Sequence, residues 1–91
     1  MKPDFAAMPR LAAGVRMNEK NERPRMLFTP KGPLRLGGPS LEIVELCDGK
    51  HTVQQIAEKL HALYAKAEPD RVTNDLLSYL TLLKDHNAIE L

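Results

Sequence analysis

The stretch Leu46-Cys47-Asp48-Gly49-Lys50-His51-Thr52-Val53 decides how this chain folds. Before it, Leu41-Glu42-Ile43-Val44-Glu45-Leu46 is a short apolar helical run. Gly49 can adopt the left-handed backbone that halts such a helix. Thr52 then opens a second helix: its hydroxyl can accept from the amide of Gln55, and the Gln55 side chain can accept from the amide of Thr52. A helix, a Gly-containing turn and a second helix make a helix-turn-helix corner. The corner defines structure more than function, because nucleic-acid binders and protein binders share it.

Downstream of the corner the pattern stays helical. Val53, Ile56, Ala57, Leu60, Leu63 and Tyr64 recur at helical spacing and predict one buried face. Ala65-Lys66-Ala67-Glu68 is a connector, and Pro69 suits the first position of a third helix running to Asp85. On that helix Val72, Leu76, Tyr79, Leu80 and Leu83 share a face, while Leu77 and Leu82 lie on opposite flanks. An arc this broad requires either a helix wedged between several neighbours or an apolar wall left open as a groove. The end, Ala88-Ile89-Glu90-Leu91, alternates and predicts a short closing strand.

Upstream the period is two. Val15-Arg16-Met17-Asn18, Arg25-Met26-Leu27-Phe28-Thr29 and Leu34-Arg35-Leu36 read as strands, joined by turns at Asn21-Glu22-Arg23-Pro24 and Pro30-Lys31-Gly32. Short connections make the pairings antiparallel. Gly37-Gly38-Pro39 ends the sheet, and Ser40 is the expected N-cap of the first helix. The fold class is thus α+β and winged-helix-like: a three-stranded antiparallel β-meander followed by three α-helices. Residues 1–13 contain two prolines and no sustained period, so they are expected to form a flexible N-terminal tail, its end near Pro9–Leu11 packing on the domain. Residues 14–91 form the domain.

Composition narrows the function. Ninety-one residues suffice for one domain with a modest core, and a single cysteine cannot form an internal disulfide. No run reaches the length of a membrane span, and no export signal opens the chain, so a cytoplasmic protein with no membrane partner is expected. Charge is uneven: residues 1–36 carry a net +5 and residues 37–91 a net −4. That asymmetry fits a solvated surface or a basic front that attracts an acidic segment. His51, His61 and His86 stand singly, no metal-ligand spacing occurs, and no phosphate loop is present. Cys47, ending an apolar helix, reads as a small buried hydrophobe rather than a nucleophile. Neither an enzyme nor a cofactor is expected. A DNA reader needs cations on its recognition helix, yet Glu68–His86 has Arg71 and Lys84 against Glu68, Asp70, Asp75 and Asp85. What remains is peptide recognition, by strand addition to the exposed Leu34–Leu36 edge beside the broad third helix.

Three stretches carry a resemblance: Pro9-Arg10-Leu11-Ala12-Ala13-Gly14-Val15-Arg16, Leu27-Phe28-Thr29-Pro30-Lys31-Gly32-Pro33-Leu34-Arg35-Leu36, and Ile43 through Ile56 with its Leu-Cys-Asp-Gly turn. In this order and spacing they resemble the PqqD family, the peptide chaperones of pyrroloquinoline quinone (PQQ) biosynthesis. The resemblance implies a non-catalytic domain that binds the ribosomal precursor peptide PqqA and presents it to the radical-SAM enzyme PqqE. It implies a peptide site on Leu34, Arg35 and Leu36, walled by Val72, Asp75, Leu76 and Tyr79, with Leu80 and Leu83 deeper. Arg35→Glu and Leu76→Asp are then expected to weaken binding. Gly37-Gly38-Pro39-Ser40 departs from the family, which usually has a polar residue and a Ser/Thr-containing helix start there. A recognition domain of another modified-peptide pathway is the alternative, with a winged-helix DNA-binding protein behind it. Monomer and homodimer both stay open. The outward residues Gln54, Gln55, Glu58 and Lys59 are the expected contact for the modifying enzyme.

Overall fold

The computed structural model describes residues 4–91. Its elements are β1 (Arg10–Leu11), β2 (Arg16–Met17), β3 (Arg25–Thr29), β4 (Gly32–Leu36), α1 (Pro39–Leu46), α2 (Val53–Leu63), α3 (Pro69–Asp85) and β5 (Ile89–Glu90). The meander is present as an antiparallel sheet in the order β2-β3-β4, and β1 pairs with β5 in a separate two-stranded ribbon. Pro30 and Lys31 form the two-residue turn between β3 and β4. Thr29 Oγ1 braces it, accepting from the Lys31 amide at 3.2 Å and donating to the Gly32 carbonyl at 2.7 Å.

The corner forms as the local chemistry dictates. Thr52 Oγ1 accepts from the Gln55 amide at 3.1 Å, and Gln55 Oε1 accepts from the Thr52 amide at 2.8 Å. Gly49 has φ +76°, and a Cβ there would meet the Arg10 side chain at 3.4 Å. The Asp48 carboxylate accepts from the Lys50 amide at 2.8 Å and faces His51 Nδ1 at 3.0 Å. The His51 contact, then the Lys50 amide, hold the Asp48 carboxyl below the ordinary carboxylate range.

The corner also receives the N-terminal segment. Gly49 N–H donates to the Pro9 carbonyl at 3.0 Å, and Leu11 N–H donates to the Cys47 carbonyl at 3.2 Å. Phe5 and Ala7 carbonyls accept from the amides of Gln54 and Val53, the free donors at the start of α2. Pro9 is fully buried. So the segment expected as a tail over 1–13 is bonded to the domain from Phe5 onward, and residues 1–3 lie outside the described residues. The physical reason is long-range: the partners are the loose amides and carbonyls of the corner and of β5.

The core joins Leu27 and Leu36 from the sheet to Ile43, Val44, Val53, Ile56, Leu60, Leu76, Leu80 and Leu83 from the three helices. Two local expectations differ. Ser40 does not cap α1. Gly38 occupies that position without a side-chain cap, and Ser40 Oγ instead accepts from the Gly37 amide at 2.9 Å and donates to its carbonyl at 2.7 Å. Leu63 is 61% exposed, because it sits about 80° off the centre of the α2 stripe and in its last turn. Among the described residues no helix is long and apolar enough to cross a membrane.

Cys47 closes α1 at 3% exposure. Burial, and secondarily the neighbouring Asp48 carboxylate, push its thiol up to about 12. The thiolate is the reactive form. Cys47 is therefore expected to resist a disulfide-forming thiol reagent in the folded protein at pH 8 and to react promptly in denaturant. Equal rates in both conditions would show that the helix end opens freely.

Candidate peptide-binding site

A strand at a sheet edge has one row of unpaired backbone groups, and β4 is such a strand. The β3–β4 register pairs Thr29 with Gly32, Leu27 with Leu34 and Arg25 with Leu36. Alternation along an antiparallel ladder makes these the hydrogen-bonded pairs next to a two-residue turn. The backbone groups of Pro33 and Arg35 therefore face away from β3. Pro33 has no N–H, and the Gly37 N–H is taken by Ser40 Oγ. The free edge thus offers the Pro33 carbonyl, the Arg35 N–H and the Arg35 carbonyl. Three hydrogen bonds at about 0.5–1.5 kcal/mol net each at best match the low end of the cost of association, about 4–15 kcal/mol. Any strand that adds here must be held by side chains as well.

The register also sorts the side chains. Leu34 and Leu36 point to the helical layer with Leu27 and Met17, while Arg35 and Pro33 point to the opposite face. Leu34 is half-buried and Arg35 exposed, whereas Leu36 is 4% exposed and belongs to the core. On α3, Val72 and Tyr79 are half-buried and Asp75 is exposed. Leu76, Leu80 and Leu83 are at 0%, 6% and 0% exposure. Of the nine residues singled out from the sequence, Leu36, Leu76, Leu80 and Leu83 therefore stand behind the surface. They hold Leu34, Val72 and Tyr79 in place and have almost no area of their own to offer.

One apolar concavity lies where the helices converge. A cleft of about 350 Å³ is lined by Pro39 and Ile43 of α1, Leu60 of α2, Tyr64, Ala67 and Val72, with Lys66, Glu68, Arg71 and Asp75 among its polar lining. It includes Val72, Asp75 and Leu76 but none of Leu34–Leu36. Ile43 and Leu60 went unrecognised in the sequence because they read as ordinary core positions, and Pro39 because it reads as a sheet breaker. Tyr64, on the lining of the cleft, donates to Glu42 Oε2 at 2.9 Å. Burial first, and then Glu42, raise the Tyr64 phenol above its ordinary value.

Tyr79 belongs to the apolar face of α3, yet its hydroxyl is the unusual part. Among the described residues, the oxygen is buried without a hydrogen-bond partner. Ser40 is its neighbour, but the Ser40 hydroxyl is already bonded to Gly37. Burial pushes the Tyr79 phenol up, more than Ser40 brings it down. An unsatisfied buried hydroxyl costs about 1–3 kcal/mol, so a donor or acceptor arriving beside the start of α1 would gain from meeting it.

A second depression, lined by Glu42, Glu45, Leu46, Lys59, Ala62 and Leu63, runs between α1 and α2. Of the residues expected to meet a modifying enzyme, Lys59 borders it. Gln54, Gln55 and Glu58 are exposed, with Gln55 engaged in the capping box. Among the described residues, no three His, Cys, Asp or Glu side chains gather in a way that could hold a metal ion.

The chain is 32% identical over 84 residues to the bifunctional coenzyme PQQ synthesis protein C/D of Methylorubrum extorquens (strain AM1). The alignment takes in 91% of this chain but only 22% of that larger protein. Among solved structures it matches the solution NMR structure of the PqqD truncation of Methylobacterium extorquens PqqCD with a TM-score of 0.70 and 31% identity. That match covers 91% of this chain and 88% of the other, which is described as a functional, stand-alone recognition element for ribosomally synthesised and post-translationally modified peptides. A sequence profile for coenzyme PQQ synthesis protein D matches residues 25–89, from the start of β3 to the start of β5, and with it the chain belongs to the PqqD family.

Proposed function

We propose that this protein is a non-catalytic peptide chaperone of PQQ biosynthesis. It binds the precursor peptide PqqA as an added strand on β4 and presents it to the radical-SAM enzyme PqqE, in the cytoplasm where the peptide is made. The observation that carries this reading is the free β4 edge, with the Arg35 N–H and carbonyl turned outward. Leu34, Val72 and Tyr79, half-buried, offer apolar surface on the helical side, and Asp75 offers a polar rim. The solved relative supports it, being a recognition element that stands alone.

A backbone amide NMR titration with synthetic PqqA tests this. Saturable shifts are expected at Leu34–Leu36 and across the first turns of α3, around Val72 and Asp75. Saturation with shifts elsewhere would retain the peptide and discard the site. Absence of binding at high micromolar peptide would overturn the PQQ assignment in favour of a different modified-peptide pathway.

A further inference from the structure

The outer face of the sheet carries no element of this chain among the described residues, and its composition is specific. The register places Arg16 beside Phe28 and Phe28 beside Pro33 in one row, and Met26 beside Arg35 in the next. Arg16, Pro33 and Arg35 are exposed, Phe28 is 44% exposed, and Met26 is half-buried. Two arginines thus flank an apolar strip, and no acid stands on the rows themselves. Lys31 adds a cation at the β3–β4 turn. At the other end Lys20 and Arg23 accompany Glu19 and Glu22, where the Glu22 carboxylate bonds to the Glu19 amide and Arg23 folds back on the Lys20 and Glu22 carbonyls.

A strand added to β4 alternates its side chains between the two faces. One set meets the helical layer. The other lies over this outer face, where a residue directly across from Arg35 comes within about 4.5–5.5 Å between Cβ atoms. Two positions along, the neighbour is Pro33, which is short and leaves room for a large apolar side chain to reach the Phe28 ring on the next strand.

We infer that the outer sheet face reads every second side chain of the bound peptide, selecting an acidic residue across from Arg35 and a large apolar residue two positions away beside Pro33 and Phe28. This deepens the strand-addition reading and rests on it. It makes the sheet a selector in its own right, independent of the helical cleft. Charge complementarity sets the occupant: a face holding arginines and no acid favours an acidic side chain and repels a basic one.

The test uses the full-length protein and synthetic PqqA, with affinities read by fluorescence anisotropy. Each acidic residue of PqqA is changed singly to Lys, and each large apolar residue to Asp. One acidic position is expected to lose about tenfold in affinity for the wild-type protein, and to regain most of it with Arg35→Glu. A large apolar residue two positions from it is expected to lose about fivefold, with a smaller loss against Phe28→Ser. Both protein variants alter exposed residues, and unchanged melting temperatures will confirm that they fold. If wild-type PqqA binds but no acidic position shows the reciprocal rescue, the outer-face selection is overturned and strand addition survives. If wild-type PqqA does not bind at all, both fall together.

Discussion

Leu76→Asp is expected to unfold the protein rather than merely to weaken a binding surface. Leu76 has no exposed area and packs among the residues that join α1, α2 and α3. Removing a buried leucine side chain costs about 2–5 kcal/mol, and an unpaired buried carboxylate adds several more. A domain of this length holds roughly 5–14 kcal/mol in total. The variant should show no cooperative melting transition, or one lowered by about 20 °C or more. The neighbouring substitution Asp75→Ala, on an exposed position, should shift stability by less than about 0.5 kcal/mol. Circular dichroism melts of the two variants make the comparison. A well-folded Leu76→Asp protein with reduced peptide affinity would place Leu76 on the surface and refute the packing described here.

Arg35→Pro should have the second largest effect, on binding alone. The Arg35 N–H is the only donor on the outward edge of β4 between Pro33 and Gly37, since Pro33 has none and Gly37 is bonded to Ser40. Proline there removes the donor and puts its ring where the incoming strand would lie. It breaks no bond of the β3–β4 ladder, because that N–H faces away from β3, so stability should fall by about 1 kcal/mol at most. Affinity for PqqA should fall by more than about tenfold, the worth of one hydrogen bond with its donor replaced by a clash. Arg35→Ala loses the charge and keeps the donor, and it should bind clearly better than Arg35→Pro. Equal affinities for the two would eliminate strand addition at this edge.

These two expectations divide the residues that sequence reasoning grouped together. Periodicity identified Leu34, Leu36, Val72, Leu76, Leu80 and Leu83 as apolar positions on one strand face and one helix face. It could not separate wall from core, because both need the same side chains at the same spacing. Exposure is a property of neighbours: β3 and the helices seal Leu36, and α1 and α2 seal Leu76. Val72, one turn nearer the start of α3, is half-buried and borders the cleft together with Pro39 and Ile43. The cleft formed with Pro39, Leu60 and Tyr64 was equally hidden, since its residues are dispersed over three elements.

What the amino-acid order determined by itself was local. The Thr52–Gln55 capping box, the Gly49 turn, the Pro30–Lys31 hairpin and the Pro69 helix start each follow from bonds or dihedral limits within a few residues. Those signals were enough to define three strands, three helices and their order. Only the tertiary structure decided the rest. Packing near Pro9–Leu11 was expected, but its extension back to Phe5 depends on partners at the corner, more than 40 residues away. Ser40 turned back to Gly37 instead of capping α1, and Leu63 was left in solvent. The Tyr79 hydroxyl was buried without a partner among the described residues, its neighbour Ser40 being bonded to Gly37. Local chemistry selects the conformation of a residue, but burial and edge exposure depend on what the distant chain brings beside it, and here those two quantities make the candidate site.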